Sequence, residues 1–477
     1  MKIVYFPIET LTREIDSVLM LSDELLSSAA SDYVVTGSAL HLKILLRLGL
    51  LPKGIWHMKS AQHYTLTLLT KLKKQGFCTT TQNAESLVTF DTKERFDPFA
   101  ISPKVSHLID TIFCANDDEY SKLSIAHGAK IRDKLCLSGF IRSSMMKSQL
   151  ETFYSDEIKE IKAEYGQYIL YNSTAGLKYH YHSSFDRNSM QGLLLDQGLL
   201  PDHVHDLLEW SEQSQATLFA FLEFVRLFTN EHGSKGVKIV FRPHPSEDVS
   251  FFTKLFAGHT AVVVDGRYSV IPWMLSSVAS IGSSSTTLVE GAALRLPTIS
   301  FVPEIDSDVM SLLMSNASAK CSILTTTPVE LFSEITQIMM SSESKTNWGD
   351  GDLADILVGK QFDTFSIVSD QIKVLFNHMD RENLKDRLLL FLLPLSIIFV
   401  GVIIKIYISL PGKGSELTYA LSKFGSISNA LCKKITNFFT STSSKKMVVK
   451  LLSNTLFVLK SADEVNQLKG RRSKLEL

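Results

Sequence analysis

Alternation of strand-like and helix-like segments is the feature that most constrains the fold of this chain. The stretches "KIVYFPI" at residues 2–8 and "YVVTGS" at residues 33–38 are short apolar runs typical of strands, and a segment with helical spacing separates them. The same pattern returns in "QYILYNSTAG", "GVKIVFRPHP" and "PTISFVPE". Strands that alternate with helices predict parallel βαβ units, whose ligand sites lie beyond the carboxyl ends of the strands.

The composition is that of a folded protein, with 45% hydrophobic and 21% charged residues. A length of 477 residues is too great for one ordinary core, so we expect two lobes and an additional segment. The net charge of −1 is uneven, because residues 411–477 carry 12 basic and 4 acidic side chains. A mildly acidic body with a basic tail argues against a nucleic-acid partner and favours contact of the tail with an anionic surface.

Five scattered cysteines form no CxxC pair, which argues against a metal knuckle or a redox motif. Few cysteines in a long chain are typical of a reducing, cytoplasmic compartment. No convincing metal-binding carboxylate motif stands at a strand end. Asp117 and Asp118 come closest, and a solvated helix start explains them equally well.

An apolar run near the C-terminus favours contact with a membrane. Leu388–Ile404 contains no charged residue, and its extension through Leu410 is about long enough to cross a bilayer. A buried core helix is the alternative. If the lobes are cytoplasmic, a full crossing would place the basic tail outside, against the positive-inside tendency, so a re-entrant or in-plane segment remains open. Apolar spacing over Met447–Ala462 predicts an in-plane amphipathic helix, with packing against the body as its alternative.

Two strand-end motifs carry residues suited to chemistry. In "KIVFRPHPSED", prolines stop the apolar strand Ile239–Phe241 and stiffen the loop that holds Arg242 and His244. A cation and an imidazole at the carboxyl end of a strand suit an anionic ligand. The alternative is a Pro-rich turn that only closes the strand.

The second motif is "SIGSSSTTLVEGAALRLPTISF", in which a strand ends near Gly282 and a helix starts near Thr286. Hydroxyl groups together with the N–H groups of a helix N-terminus form a cradle for an anion. Glu290 follows one turn into the helix, where its carboxylate can accept hydrogen bonds from ribose hydroxyls. An ordinary Ser/Thr cap followed by a surface glutamate is the alternative.

The two motifs, in this order, resemble the C-terminal lobe of GT-B glycosyltransferases that build bacterial surface polysaccharide. The start "FPIETLTREID" resembles the N-terminus of the surface carbohydrate biosynthesis protein family. A His-Pro motif followed by a Ser/Thr-rich motif is also similar to bacterial sialyltransferases and capsule Kdo transferases, whose donor is a CMP-activated ulosonic acid. The resemblance covers roughly Met1–Met340, and it implies an α/β, GT-B-like fold of two Rossmann-like lobes with a cleft between them.

The implied organisation has three parts. Residues 1–150 are expected to form an N-terminal Rossmann-like lobe on the acceptor side, and residues 151–375 a C-terminal Rossmann-like lobe that binds the nucleotide. Residues 376–477 are expected to form a hydrophobic membrane-associated segment with a basic tail. The implied function is a metal-independent glycosyltransferase of capsule, O-antigen or lipopolysaccharide biosynthesis that needs no cofactor.

The resemblance also implies roles for individual residues. Arg242 and His244 would face the donor phosphate, with His244 able to act as an acid to it. Glu290 would bind the ribose or the base. The residues implied to hold phosphate or nucleotide are Ser283, Ser284 and Thr286.

A base for the acceptor hydroxyl is expected from the opposite lobe, and Glu9 at the end of the first strand is the candidate. Further candidates are Arg13, Gly139, Arg142 and Asp265. The stretch "LSGFIRSS" falls where the related proteins have a Gly-Asn-Pro-Arg-x-Asp type of loop. It departs from that pattern, because Phe140, Ile141 and Ser143 or Ser144 stand where Asn-Pro and Asp are expected.

Two other functions stay open on the sequence. A nucleotide-sugar enzyme like the UDP-GlcNAc 2-epimerases shares the fold, although the apolar run argues against it. A non-catalytic scaffold of polysaccharide assembly is consistent with the missing loop carboxylate. The expected partners are a nucleotide-sugar donor, a glycan or glycolipid acceptor, and a membrane met by Leu388–Leu410 and the basic tail. The expected location is the cytoplasmic face of the inner (cell) membrane.

Overall fold

The structure is a computed structural model of the chain. It describes residues 2–83, 87, 101–146, 150–174, 201–233, 236–283, 285–303, 317–341, 349–379, 386, 389, 392, 456–459, 461 and 463–464.

Seven strands form the sheet of the first lobe. Their bounds are β1 (Ile3–Ile8), β2 (Tyr33–Ser38), β3 (Ile55–Met58), β4 (Cys78–Gln82), β5 (Thr111–Cys114), β6 (Leu135–Leu137) and, from the far end of the chain, β13 (Leu456–Leu459). They lie in the order β13-β2-β1-β3-β4-β5-β6, and β1 to β6 are all parallel. The chain changes direction across the sheet at β1, so the crevice between the ends of β1 and β3 is the switch point of this lobe.

The helices of the first lobe connect these strands. Their bounds are α1 (Leu11–Ser27), α2 (Ala39–Arg47), α3 (Leu66–Lys74), α4 (Pro103–Ser106), α5 (Asp117–His127) and α6 (Ala129–Arg132), with 3-10 turns at His63–Thr65 and Ile141–Met146. Asn116 caps α5 by accepting the N–H of Glu119 at 2.9 Å. Asp117 and Asp118 therefore stand in the first turn of a capped helix, which is the ordinary place for acidic residues.

Six parallel strands form the sheet of the second lobe. Their bounds are β7 (Tyr168–Asn172), β8 (Lys238–Arg242), β9 (Val262–Val264), β10 (Ala279–Gly282), β11 (Thr298–Phe301) and β12 (Ile323–Thr325). They lie in the order β12-β11-β10-β7-β8-β9, the order of the doubly wound Rossmann sheet. The switch point lies between β7 and β10, where the two halves of the sheet diverge.

The helices of the second half of the chain are longer and more varied. Their bounds are α7 (Leu150–Phe153), α8 (Ser155–Tyr165), α9 (Pro201–His232), α10 (Val249–Leu255), α11 (Val270–Ser276), α12 (Thr286–Ala293), α13 (Ala317–Lys320), α14 (Pro328–Met340), α15 (Gly351–Leu357) and α16 (Thr364–His378). The charged segment at residues 151–166 is divided at Tyr154 into α7 and α8. The phenol of Tyr154 explains the break, because it is buried and donates to Asp16 on α1 at 2.8 Å.

The last helix returns to the first lobe. Val368 and Ile372 of α16 are buried in one cluster with Ile15 and Leu19 of α1. The hydroxyl of Ser369 lies 2.7 Å from that of Ser28 at the end of α1. The chain therefore crosses from the second lobe back to the first between α15 and α16. The apolar stripe of α16 covers one face of the first sheet.

The predicted amphipathic helix over Met447–Ala462 is wrong for Leu456–Leu459, which form β13. This strand pairs antiparallel with β2, with Leu456 opposite Gly37 and Leu459 opposite Val34. A continuous run of four apolar residues fits a strand as well as a helix turn, and the open edge of β2 decides between them. The alternative given in the sequence analysis, packing of this segment against the body of the protein, is what the structure shows for Leu456–Leu459.

Most of the apolar run Leu388–Leu410 lies outside the described residues. Leu389 and Leu392 are described and buried, and the carboxylate of the preceding Asp386 accepts the backbone N–H of Lys53 at 3.2 Å. Among the helices that the structure describes, none has the length and apolar character needed to cross a membrane.

Substitution of Gly359 tests the crossing between the lobes. Gly359 has φ +66°, and a Cβ there would lie 2.3 Å from the carbonyl oxygen of Ala115 and 2.7 Å from the Cα of Gly139. Gly359→Ala should lower the free energy of unfolding by about 2–4 kcal/mol in urea titration, because backbone atoms cannot yield as a flexible side chain can. Gly49 ends α2 with the same hydrogen-bond pattern as Gly359, at φ +67° and with open space around it, so Gly49→Ala is the matched control and should cost about 1 kcal/mol. Equal costs would show that the close approach is unimportant.

Candidate functional site

Polar residues gather at the carboxyl edge of the second sheet, where β7, β8 and β10 end. Asn172 closes β7 and donates to the hydroxyl of Ser280 on β10 at 3.0 Å, across the switch point. Arg242 closes β8, and Gly282 closes β10. Parallel pairing places these strand ends side by side, so the two sequence motifs meet at one edge although they are about 40 residues apart.

The loop after β8 is held by a residue that the sequence analysis did not select. The buried carboxylate of Glu247 accepts the backbone N–H of His244 at 2.9 Å and the hydroxyl of Ser173 at 2.9 Å. The N–H of Glu247 in turn donates to the carbonyl of His244 at 2.8 Å. The prolines restrict the backbone conformations of the loop, and the hydrogen bonds of Glu247 hold the loop at the end of β7.

Ser246 sets the hydrogen-bonding state of the His244 ring. Its hydroxyl lies 2.7 Å from Nδ1, and its backbone N–H donates to Nδ1 at 3.2 Å. When the ring is neutral, Nδ1 accepts these bonds and Nε2 carries the hydrogen. When the ring is protonated, Nδ1 donates to the Ser246 hydroxyl and Nε2 still carries a hydrogen. His244 therefore presents an N–H donor at Nε2 in both states.

Arg242 is buried at the end of β8. One Nη atom donates to the carbonyl of Tyr268 at 3.0 Å. Burial and then the positive charge of Arg142 lower the pKa of Arg242 to about 10, against the opposing charges of Asp265 and Glu290. The side chain stays charged at neutral pH, and the effect of Arg142 shows that the two guanidinium groups share one electrostatic environment.

Arg142 reaches this edge from the first lobe. Its Nη2 lies 2.9 Å from one carboxylate oxygen of Glu290 and 3.1 Å from the other. Glu290 is completely buried, and Arg142 is mostly buried. The glutamate expected to contact a ribose is thus ion-paired to a residue of the opposite lobe.

The segment that carries Arg142 is fixed by Gln82, a second residue that the sequence analysis missed. The buried amide of Gln82 donates to the carbonyl of Gly139 and accepts the N–H of Ile141, both at 2.8 Å. Gly139 has φ +81° and packs directly against Gly359. Its place is the junction of the lobes, where a side chain would meet Thr364 and the Gly359 carbonyl.

The hydroxyl-rich turn has the expected strand-turn-helix geometry. Ser283 is buried at the end of β10, and its carbonyl accepts the hydroxyl of Ser300 at 2.8 Å. Ser285 caps α12 by accepting the N–H and the hydroxyl of Thr287, while the buried Thr286 begins the helix. Ser284 lies outside the described residues. The hydroxyl of Ser285 thus serves as an ordinary helix cap.

Asp265 takes part in a network of fixed contacts at the end of β9. Its carboxylate accepts the phenol of Tyr165 at 2.7 Å, and the backbone N–H and Nε of Arg267 at 2.8 Å each. Arg267 also pairs with Glu164 at 2.6 Å. These contacts hold the turn whose next residue, Tyr268, accepts the hydrogen bond from Arg242.

The first lobe carries a mixed-charge cluster at its own switch point, between the ends of β1 and β3. Glu9 pairs with Lys59 at 2.9 Å and with Lys43 at 3.4 Å. Glu14 pairs with Lys59 and accepts the backbone N–H groups of Glu9 and Thr10, so it fixes the start of α1. Arg13 stands in the same first turn, and its positive charge repels that of Lys59 and acts to lower the pKa of Lys59.

The two lysines change the chemistry of Glu9. Burial would raise the pKa of the Glu9 carboxyl, but the ammonium groups of Lys59 and Lys43 outweigh it, so the pKa lies below its ordinary value. Burial would lower the pKa of Lys59, but Glu14 and Glu9 raise it overall. Glu9 is ionised at neutral pH and is a weaker base than an isolated glutamate, which bears on its predicted role toward the acceptor.

The structure therefore brings the predicted residues together in two groups. Arg142, Arg242, Glu290 and the His244 loop share the edge of the second sheet, whereas Glu9 and Arg13 share the edge of the first. Among the described residues, no group of three or more His, Cys, Asp or Glu side chains is placed to hold a metal ion.

Comparison with known proteins identifies the fold. No family model and no curated protein matches the sequence. Two solved structures of the wall teichoic acid polymerase TagF match with a TM-score of 0.50 at 12% identity, over 80% of this chain and 90% of theirs. Both are of substituted forms, and one of them was soaked with CDPG. S. aureus MnaA with UDP matches with a TM-score of 0.47 at 12% identity, over 80% of this chain and 99% of that one. Two parallel sheets of Rossmann type, arranged as in TagF, define a GT-B fold, and this prediction is confirmed.

The pH dependence of stability tests the environment of Glu9. Because its pKa in the folded state is lowered, Glu9 contributes stability that is present above the ordinary carboxyl pKa and is lost as pH falls through the folded value. Wild type should therefore exceed Glu9→Gln in urea stability at neutral pH, and the difference should vanish as the pH falls below the folded-state pKa of Glu9. In a Lys59→Met background the pKa of Glu9 should rise. Glu9→Gln should then be as stable as its Lys59→Met parent in urea, or more stable. An unchanged difference in that background would contradict the assignment of Lys59 as the main partner.

Proposed function

We propose that the protein is a glycosyltransferase of bacterial surface polysaccharide biosynthesis that takes its sugar from a nucleotide-activated donor. The observation that carries this proposal is the meeting of Arg142, Arg242, Glu290 and the His244 loop at the switch point of a Rossmann-type lobe. Ligands of doubly wound sheets bind at this place, and the cations there suit phosphate. The soaking of TagF with CDPG shows that a cytidine-type ligand has been presented to a protein of the same fold.

Stabilisation of the leaving phosphate is the chemical task of the second lobe in this proposal. Negative charge develops on that phosphate as the bond to the sugar breaks. The Nε2–H of His244 and the guanidinium of Arg242 stabilise this charge more strongly in the transition state than in the ground state. Glu247 and Ser246 hold His244 in position before the reaction starts, so no reorganisation is needed at that moment.

The first lobe would receive the acceptor. Glu9 stands at the other switch point and is the carboxylate proposed to take the proton from the acceptor hydroxyl. Its pairing with Lys59 and Lys43 lowers its basicity, so the proposal requires that acceptor binding displace at least one lysine. Without this displacement, Glu9 would orient the acceptor and another group would remove the proton.

The finer assignments follow the resemblance to sialyltransferases and capsule Kdo transferases. The donor would be a CMP-linked ulosonic acid such as Kdo or sialic acid, and the product capsule, O-antigen or lipopolysaccharide. The acceptor would be a glycan or glycolipid held at the cytoplasmic face of the membrane, reached through Leu388–Leu410 and the basic tail. A tether of this kind raises the local concentration of a lipid-linked acceptor.

A nucleotide screen and a histidine variant test the proposed function. One of CMP, CDP, UDP or GDP should raise the melting temperature of the wild-type protein, because it binds only the folded state. With the matching nucleotide sugar and a lipid-linked acceptor, His244→Ala should reduce transfer by about 10²–10⁴-fold. His107 is an exposed histidine of the first lobe, and His107→Ala should leave transfer unchanged.

The alternatives give different results in the same experiment. Conversion of a UDP-sugar to its epimer, without transfer, would assign the protein to the epimerase class. Nucleotide binding without turnover of any donor would favour the scaffold. Failure of every nucleotide and nucleotide sugar to bind would overturn the proposed function.

The position of β13 makes a specific prediction for the membrane. Leu456–Leu459 pair with β2, so in this proposal β13 and the first lobe lie on the same side of the membrane. A reporter of compartment fused after Leu477 should therefore give the same cytoplasmic signal as one fused before Met1, while the full-length protein sediments with membranes. Opposite signals from the two fusions would exclude pairing of β13 with β2 in the cell. A full-length protein that stays in the soluble fraction would remove the membrane from the proposal.

A further inference from the structure

Two arginines of different lobes lie at the edge of the second sheet. Arg142 is paired with Glu290. Arg242 donates to the carbonyl of Tyr268, and the nearby Asp265 is already paired with Arg267 at 2.6 Å. Among the residues that the structure describes, Arg242 forms no ion pair of its own.

Each arginine also has a buried donor that no described residue accepts. These donors are Nη1 of Arg142 and Nε of Arg242. Buried guanidinium N–H groups are normally hydrogen-bonded, because the loss of water is otherwise uncompensated. Two unsatisfied guanidinium donors at the same edge, one of them on an arginine with no ion pair among the described residues, indicate an anionic ligand. The neighbouring Arg267 is instead bound by Asp265 and Glu164.

We propose that Arg142 and Arg242 bind one phosphate group between the lobes, and that Glu290 positions Arg142 for this contact instead of binding the ribose. The proposal rests on the proposed function, because the phosphate would be that of the donor nucleotide. A phosphate offers several oxygens in a tetrahedral arrangement, so it can accept from two guanidinium groups that approach from different directions. Its charge also supplies the counter-ion that Arg242 does not have among the described residues.

The role of Glu290 follows from its contacts. Both of its oxygens lie within 3.1 Å of the same Nη2 of Arg142, which orients the guanidinium and leaves Nη1 as the donor toward the ligand. Glu290 sits one turn into α12, whose N-terminus follows the hydroxyl-rich turn, so Arg142 is paired to the helix that carries this turn. A ligand bound in this way uses one residue from each lobe. Phosphate binding is then linked to the relative placement of the lobes.

Isothermal titration with inorganic pyrophosphate tests the two arginines without any sugar or base. Wild type should bind pyrophosphate, and Arg142→Gln and Arg242→Gln should each weaken binding by about 10- to 100-fold, the usual effect of a charge-assisted hydrogen bond. Arg142→Lys keeps the charge but loses the fork of donors, so it should be intermediate. Arg226 is exposed on α9, where Glu223 is the one carboxylate among the described residues that pairs with it. Arg226→Gln is therefore the control for loss of one positive charge and should bind as wild type does. Equal binding by wild type and Arg142→Gln, or no binding by wild type, would overturn the proposal.

Glu290 is tested by comparing ligands that differ in the ribose. If Glu290 positions Arg142, Glu290→Gln should weaken pyrophosphate and the best nucleotide of the screen by the same factor, and should leave the weak binding of the matching nucleoside unchanged. If Glu290 binds the ribose, the loss should appear for nucleotide and nucleoside and be absent for pyrophosphate, which would overturn this assignment. Should Glu290→Gln fail to fold, the paired variant Arg142→Met with Glu290→Met removes both buried charges together and should lose pyrophosphate binding to the same degree as Arg142→Gln.

The outcomes also separate this inference from the proposed function. Pyrophosphate binding that depends on both arginines, in a protein that binds no nucleotide, would support the phosphate site and contradict the proposed glycosyltransferase function. Nucleotide-sugar transfer that Arg142→Gln leaves unchanged would support the enzyme and contradict the two-arginine site. A free phosphate and the phosphate of a nucleotide are distinguished by whether the nucleotide binds more tightly than pyrophosphate.

Discussion

The ion pair between Arg142 and Glu290 is the interaction on which the candidate site depends. Glu290 is completely removed from solvent, and a buried carboxylate without a cation is strongly unfavourable. Its partner comes from the other lobe, 148 residues earlier in the chain. Loss of either member of such a pair typically costs about 3–5 kcal/mol, because the other charge stays buried. The arrangement of the lobes and the chemistry of the cleft are therefore joined at one contact, and Gln82 and Gly139 shape the backbone that delivers Arg142 to it.

The two switch points of the fold are equipped differently. At the second sheet, two guanidinium groups with unsatisfied donors lie at the same edge as the His244 loop. At the first sheet, Glu9 and Glu14 alternate with Lys43 and Lys59, so both carboxylates are ion-paired. Ion-paired carboxylates suit an uncharged hydroxyl-bearing partner, and unsatisfied guanidinium donors suit an anion. This asymmetry agrees with the proposed division into an acceptor-side lobe and a donor-side lobe.

The sequence predicts the fold well where local pattern decides and poorly where distant segments meet. Alternating apolar strands and amphipathic helices specify the two parallel sheets, and the strand ends at Arg242 and Gly282 follow from the prolines and the glycine. Gln82 and Glu247 escaped notice because a buried polar residue that binds backbone atoms leaves no periodic or compositional signal. The pairing of Glu290 with Arg142 was equally invisible, since nothing local to either residue specifies the other. For Leu456–Leu459, the neighbouring strand and not the apolar spacing determined the structure.

β13 gives the chain an unusual order of assembly. Its partner β2 precedes the second lobe in the chain, whereas β13 follows it. During synthesis this edge of β2 waits for its described partner while the second lobe emerges, although a domain that emerges first ordinarily folds first. An open edge strand is a site for unwanted pairing with other chains, so this edge is exposed to misassembly until β13 has been made. β13 thus closes the sheet, and the lobe that begins to emerge before the other is completed after it.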